Sequence, residues 1–166
     1  MARPGSIHAA GGGLLPPPPL DAATAAVMLT LVDGETPLWL APRLHAARAW
    51  VVFHCGAVCV EDPAMASFVT TDALPDLTGL RAGSHEEPET AATVIVQVHA
   101  LGAGRRYSLR GPGLRDHDVL SVDGLPAEFA AIWADNHARF PRGVDLVLCA
   151  GSRLAALPRS VTVEEG

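Results

Sequence analysis

Arg110-Gly111-Pro112-Gly113 and Arg159 are the residues whose types and spacing best suit the binding of an anion. Glycines let a backbone turn approach a ligand closely, and a guanidinium offers paired donors to the oxygens of a phosphate-like anion. His54 is a further candidate for the same oxygens. The Arg110 segment reads first as a strand-ending turn that carries a surface arginine, and only second as an anion site. Asp145 lies inside an apolar run, where a carboxylate must be paired or hydrogen-bonded. Arg159, on the returning strand, is its natural partner, so Arg159 is either half of a structural ion pair or a ligand contact.

Other groupings fall short of a reaction centre. His54-Cys55-x-x-x-Cys59 offers three soft ligands, with both cysteines on one face if the segment is extended, but the fourth ligand of a structural zinc site is missing. His85-Glu86-Glu87-Pro88-Glu89 begins like H-E-x-x-H, yet Glu89 stands where the second histidine is needed and Pro88 opposes a helix. Asp116-His117-Asp118 reads as a solvated turn rather than a cation site. No serine sits in a G-x-S-x-G context, and no Ser–His–Asp or Cys–His set follows from spacing. The reading is therefore no catalytic residue and no metal.

All twelve basic residues are arginine. A Schiff base with pyridoxal phosphate needs a lysine, as do a Walker-A loop and the kinase β3 position, so all three are excluded. Across 166 residues, 49% hydrophobic and 18% charged composition describes a globular chain with a real core. One domain over residues 1–166 accounts for that length. A net charge of −6 opposes nucleic-acid binding, which needs a basic footprint. No apolar run is long enough for a membrane helix, and an odd count of three cysteines suits a reducing cytoplasm.

The elements that must position these residues form a mixed α/β pattern. Gly11–Pro19 is a connecting loop. Asp21 is placed to N-cap a helix over Ala22–Leu31, with Ala23, Ala26, Val27 and Leu31 on one side. Thr36–Leu40 predicts a short strand, Trp50–His54 an extended segment, and Ser67–Thr71 another strand. Asp72–Leu80 has turn and short-helix character. Thr93–Leu101 is the clearest strand, with Val94, Val96 and Val98 opposite Ile95, Gln97 and His99. A loop at Gly102–Gly104 is expected to return through Tyr107–Arg110 as a hairpin. Pro126–Ala138 predicts a second helix with Phe129, Ile132, Trp133 and Asn136 on one flank. Val144–Cys149 and Leu154–Leu157 form a terminal hairpin. Trp39, Trp50, Trp133 and Phe140 are expected in the core. Hairpins beside isolated helices imply a mixed β-sheet flanked by helices, not a regular βαβ repeat.

Phe140 to Val163 resembles the ending of the H subunit family of the bacterial carbon–phosphorus lyase system (PhnH): F-P-x-G-[IV]-D-L-[IV]-L, a short turn, then A-[IL]-P-R-[ST]. Four more collinear pieces are similar: Ala2–Ile7 to a Pro-Gly element, Met28–Leu31 with Thr36–Leu40 to a helix–strand unit, Phe53-His54 to R-F-H-T, and Gln97-Val98 with Leu109–Leu114 to a strand and its turn. Val52 and Cys55 stand at the Arg and Thr positions of R-F-H-T. The segment that family members carry before the Pro-Gly element is expected to be missing here. The resemblance implies a fold like the large domain of pyridoxal-phosphate-dependent transferases without that cofactor. It further implies a homodimer in isolation and partnership with subunits G, I and J. It implies that, within the system, the G, H, I and L subunits together convert MgATP and an alkylphosphonate to a ribose 1-phosphonate 5-triphosphate, releasing adenine. The implied role is that of an accessory subunit; the alternative is a stand-alone phosphonate- or nucleotide-binding enzyme or transferase with an arginine-lined pocket.

Overall fold

Apolar residues on both faces of consecutive short strands force a sheet that is covered on each side. The computed structural model describes residues 2–166. In chain order the elements are β1 (His8–Ala9), α1 (Ala22–Leu31), β2 (Leu38–Leu40), α2 (Arg48–Cys55), β3 (Phe68–Thr71), β4 (Thr93–Gln97), β5 (Ala100–Arg110), β6 (Asp118–Asp123), α3 (Phe129–His137), β7 (Asp145–Ala150), β8 (Arg153–Leu157) and β9 (Thr162–Glu165). Six strands form one sheet in the order β1-β8-β7-β4-β3-β2. Its β2, β3, β4 and β7 run parallel, while β8 is antiparallel to both neighbours. The mixed α/β expectation is met.

Two apolar layers sandwich this sheet. Val94, Val96, Leu146 and Leu148 point to a layer shared with Phe129 and Trp133 of α3 and with Tyr107, Leu109 and Leu120 of the second sheet. Ile95, Val147 and Cys149 point the other way, to Val27 and Met28 of α1 and Val51 of α2. The period of two anticipated for β4 and β7 is what separates the layers. The terminal hairpin pairs Leu146 with Leu157 and Leu148 with Ala155, as the turn at Gly151-Ser152 dictates.

Four expectations need correction. Trp50–His54 is not extended but lies in α2. Leu44, Ala47 and Val51 recur at helical spacing and are buried, whereas Val52 and Phe53 face solvent, with Phe53 82% exposed. Gly56, left-handed at φ 66°, closes the helix by donating its N–H to the Val52 carbonyl. Cys55 and Cys59 therefore do not share one face of a strand; Cys59 instead bridges to Leu38 beside β2.

The Gly102–Gly104 loop and its hairpin are likewise absent. The backbone continues through β5, with these residues bulging outward where both Leu101 and Arg105 face Val122. The hairpin partner is β6, and β9 closes a three-stranded sheet in the order β6-β5-β9.

On α1 the buried side is Ala23, Thr24, Val27 and Met28, while Leu31 is 44% exposed; a helix apolar all round gives no unique face. Phe140 is not a core residue but 57% exposed. Among the described residues no helix is long and apolar enough to cross a membrane.

Candidate functional site

The tightest polar cluster joins β7 to the turn after β8. Asp145 opens β7, and Arg159 follows Pro158 where the chain leaves β8. Arg159 Nη2 donates to Asp145 Oδ2 at 2.7 Å and Nε to Oδ1 at 3.1 Å, a two-point pairing of planar groups. The Arg159 backbone N–H donates to Asp145 Oδ1 at 2.7 Å, and Nη1 donates to the Pro88 carbonyl at 2.7 Å. The two side chains keep only 13% and 16% of their exposure. The pairing expected from the buried carboxylate is present, although Arg159 sits in a turn just beyond the strand. Its guanidinium is committed to protein acceptors. His137 Nδ1 donates to the Arg159 carbonyl at 2.8 Å, so α3 fixes the same turn.

Arg110 ends β5 and is exposed; among the described residues its guanidinium has no ion-pair or hydrogen-bond partner, and its carbonyl accepts from the Thr162 hydroxyl at 3.3 Å. The neighbouring glycines have a steric reason. A Cβ on Gly111 (φ 142°) would meet the Ser160 carbonyl oxygen at 2.9 Å, and one on Gly113 (φ 89°) the Ala2 oxygen at 2.8 Å. The turn is thus wedged between the N-terminal segment and the turn that holds Arg159. The structure brings Gly111 against Ser160-Val161 but leaves the Arg110 and Arg159 side chains without a shared acceptor. His54 lies elsewhere, on α2, exposed and packed against the Trp50 and Phe53 rings.

The Pro-Gly element near the N-terminus is also structural. Gly5 donates its N–H to Ala156 of β8, and a Cβ there would strike the Leu109 side chain. Ser6 and His8 approach to 2.7 Å, but the Ser6 hydroxyl donates to the Arg3 carbonyl, so its proton is not available to a base. Asp116 and His117 are exposed in the β5–β6 turn and Asp118 begins β6. Among the described residues no three His, Cys, Asp or Glu side chains converge as metal ligands. Burial raises the Cys149 thiol to about 12, and raises Cys55 and Cys59 as well. None of the three is primed as a thiolate nucleophile.

The sequence reading placed several further residues on their elements without seeing the hydrogen bonds by which they position the fold. Asn136 on α3 donates from Nδ2 to the Val144 carbonyl and accepts at Oδ1 from the Val144 N–H, both at 2.9 Å. An amide at a buried helix position was the available signal. Trp133 Nε1 donates to Val161 at 2.7 Å and ties α3 to the start of β9. Gln97 accepts from the Asp21 N–H at 2.8 Å, and the Asp21 carboxylate accepts from the Gly151 N–H at 2.9 Å. Asp21 stands at the N-cap position but makes no capping bond; its carboxylate holds the β7–β8 turn instead.

These arrangements define an α/β protein whose best-built polar cluster is a structural clamp between sheet and turn, with free cationic groups outside it. Residues 1–164 match the profile of the bacterial phosphonate metabolism protein (PhnH) family. The chain belongs to that family. It is 40% identical over 169 aligned positions to the alpha-D-ribose 1-methylphosphonate 5-triphosphate synthase subunit PhnH of Rhizobium meliloti (strain 1021), covering 99% of this chain and 84% of the relative. It is 36% identical over 144 positions to the putative C-P lyase subunit protein HtxG of Stutzerimonas stutzeri, covering 86% of this chain and 72% of that protein.

Proposed function

We propose that this chain is an accessory subunit of the carbon–phosphorus lyase system. In this role it supports the assembly that turns MgATP and an alkylphosphonate into a ribose 1-phosphonate 5-triphosphate with release of adenine. The observation that carries this reading is the family match over nearly the whole chain, together with the subunit name of its 40%-identical relative. The local chemistry supports it. The strongest acid–base pair, Asp145–Arg159, is consumed internally, and burial keeps the Cys149 thiol protonated. MgATP is then a substrate of the assembly rather than a resident cofactor of this chain, and pyridoxal phosphate has no lysine to join. The partners are subunits G, I and J, with a homodimer in isolation and a cytoplasmic setting. The four parallel strands flanked by helices support kinship with the large domain of pyridoxal-phosphate-dependent transferases.

Incubating the purified chain with MgATP and methylphosphonate and assaying free adenine tests this reading. No release alone, with release once the partner subunits are added, is expected; release by the lone chain overturns it. A second reading rests on Arg110, a guanidinium without a partner among the described residues, beside the Gly111–Gly113 turn. It makes Arg110, Gly111 and Gly113 contacts for phosphonate or ATP oxygens; His54, on α2, and Arg159, held by Asp145 and Pro88, lie outside that turn. Calorimetric titration with ATP and methylphosphonate, repeated on Arg110→Ala, decides it: absence of heat at millimolar ligand removes this reading.

A further inference from the structure

A cavity of about 790 Å³ lies between α3 and the segment from Leu74 to Thr78, away from the Asp145–Arg159 clamp. Its walls include Leu74, Leu77 and Ile132, so its floor is apolar. The rim carries three carboxylates, Asp76, Glu128 and Asp135, against one cation, Arg139. Glu128 and Asp135 are exposed, and neither forms an ion pair among the described residues. Asp76 accepts from the Thr78 N–H at 2.9 Å and the Thr78 hydroxyl at 2.8 Å, which holds it below the usual carboxylate range. The rim is thus acidic around an apolar base.

The geometry points to a docking groove for an arginine- or lysine-bearing amphipathic segment of a sister subunit, its apolar residues meeting Leu74 and Ile132 and its cations meeting Glu128 and Asp135. This inference rests on the accessory-subunit reading and adds the surface and the chemistry of the partner. Charge complementarity sets the occupant: an apolar floor alone fits any greasy segment, whereas the acidic rim favours a cationic one and repels an acidic one. A second copy is a poorer fit. Across a two-fold axis each groove would meet the same acidic rim with Arg139 as its one cation, and Arg105 is already held by Glu165 and the Ala127 carbonyl; Arg106 and Arg110 lie on β5 in the other sheet. Their entry into this groove would be a head-to-tail contact, which propagates as a filament unless its rotation closes a ring.

The experiment is co-expression with subunits G, I and J followed by affinity capture at low and high salt. Wild type, Glu128→Arg/Asp135→Arg, Ile132→Asp and a control, Glu35→Arg, are compared, each checked for an unchanged melting temperature. The charge-reversed pair is expected to bind at least about tenfold more weakly at low salt, with the difference shrinking at high salt. Glu128→Gln/Asp135→Asn serves as the milder second variant and should fall between. Glu35→Arg should bind like wild type. Wild-type affinity in the folded charge-reversed and Ile132→Asp variants overturns the groove while leaving the subunit reading standing. Failure of wild type itself to associate overturns that reading and this inference together. Concentration-dependent self-association lost in the charge-reversed pair would instead assign the groove to a second copy and overturn the sister-subunit occupant.

Discussion

Replacing Arg159 by alanine strips Asp145 of its guanidinium partner and leaves the Pro88 carbonyl with only the Ala91 N–H, at 3.2 Å. Three side-chain hydrogen bonds disappear, to Asp145 Oδ1, Asp145 Oδ2 and Pro88. The backbone N–H at position 159 still serves Asp145, and both side chains retain slight exposure, 13% and 16%. Breaking a buried ion pair from one side costs about 3–5 kcal/mol, and the surviving N–H places this case near about 3 kcal/mol. For a chain of this length, about 2–4 °C of melting temperature is lost per kcal/mol, so Arg159→Ala should melt about 6–12 °C lower. Thermal and urea unfolding of wild type, Arg159→Ala, Asp145→Ala and the double variant form a cycle. The double variant should lose less than the sum of the singles, with a coupling of about 1–3 kcal/mol. Asp145→Leu with Arg159→Met should recover part of the loss, because two matched apolar groups leave no uncompensated charge. An unchanged melting temperature in Arg159→Ala, or strictly additive singles, refutes the clamp.

Asn136→Ala orphans the Val144 N–H and carbonyl together, and at about 1–3 kcal/mol per buried group should cost about 2–6 kcal/mol in urea unfolding. Faster hydrogen exchange at the Val144 amide should accompany it. Gly113→Ala should destabilise by at least about 1 kcal/mol through its left-handed backbone and the 2.8 Å clash with Ala2, measured by thermal melting; a neutral result contradicts the wedge. Native thiol titration at pH 8 should find Cys55 and Cys59 reacting and Cys149 reacting only on unfolding, since Cys149 is buried and its thiol is raised to about 12. The linkage sign follows: above the unfolded thiol's range near 9.0 the unfolded chain loses this proton first, so stability should fall as pH rises from there toward about 12. Cys149→Ala should flatten that decline, measured by urea unfolding at pH 8, 9 and 10.

Local pattern was decisive wherever one physical demand left a single answer. A carboxylate at position 145 in an apolar run required a partner, and Arg159 supplies it. Alternating burial fixed the faces of β4 and β7, and the Gly151-Ser152 turn fixed the register of the terminal hairpin. The amphipathic flank of α3 was readable for the same reason, with Phe129 and Trp133 fully buried. The absence of lysine excluded whole reaction classes without any structure.

Tertiary contact decided the rest, because the local signal there was degenerate. Val51, Val52 and Phe53 suit a strand or a helix equally; burial of Leu44, Ala47 and Val51 against α1 and the sheet chooses the helix. Gly102–Gly104 reads as a turn, yet pairing with Val122 on both sides makes it a bulge in one long strand. The carboxylate of Asp21 could cap its own helix, but a backbone N–H 130 residues away at Gly151 claims it. Gly111 and Gly113 suggested an anion cradle in sequence; which backbone presses against them was visible only once the chain's two ends met. Side-chain periodicity encodes which face is buried, whereas what lies on the other side of that face is set by distant segments that no local window contains.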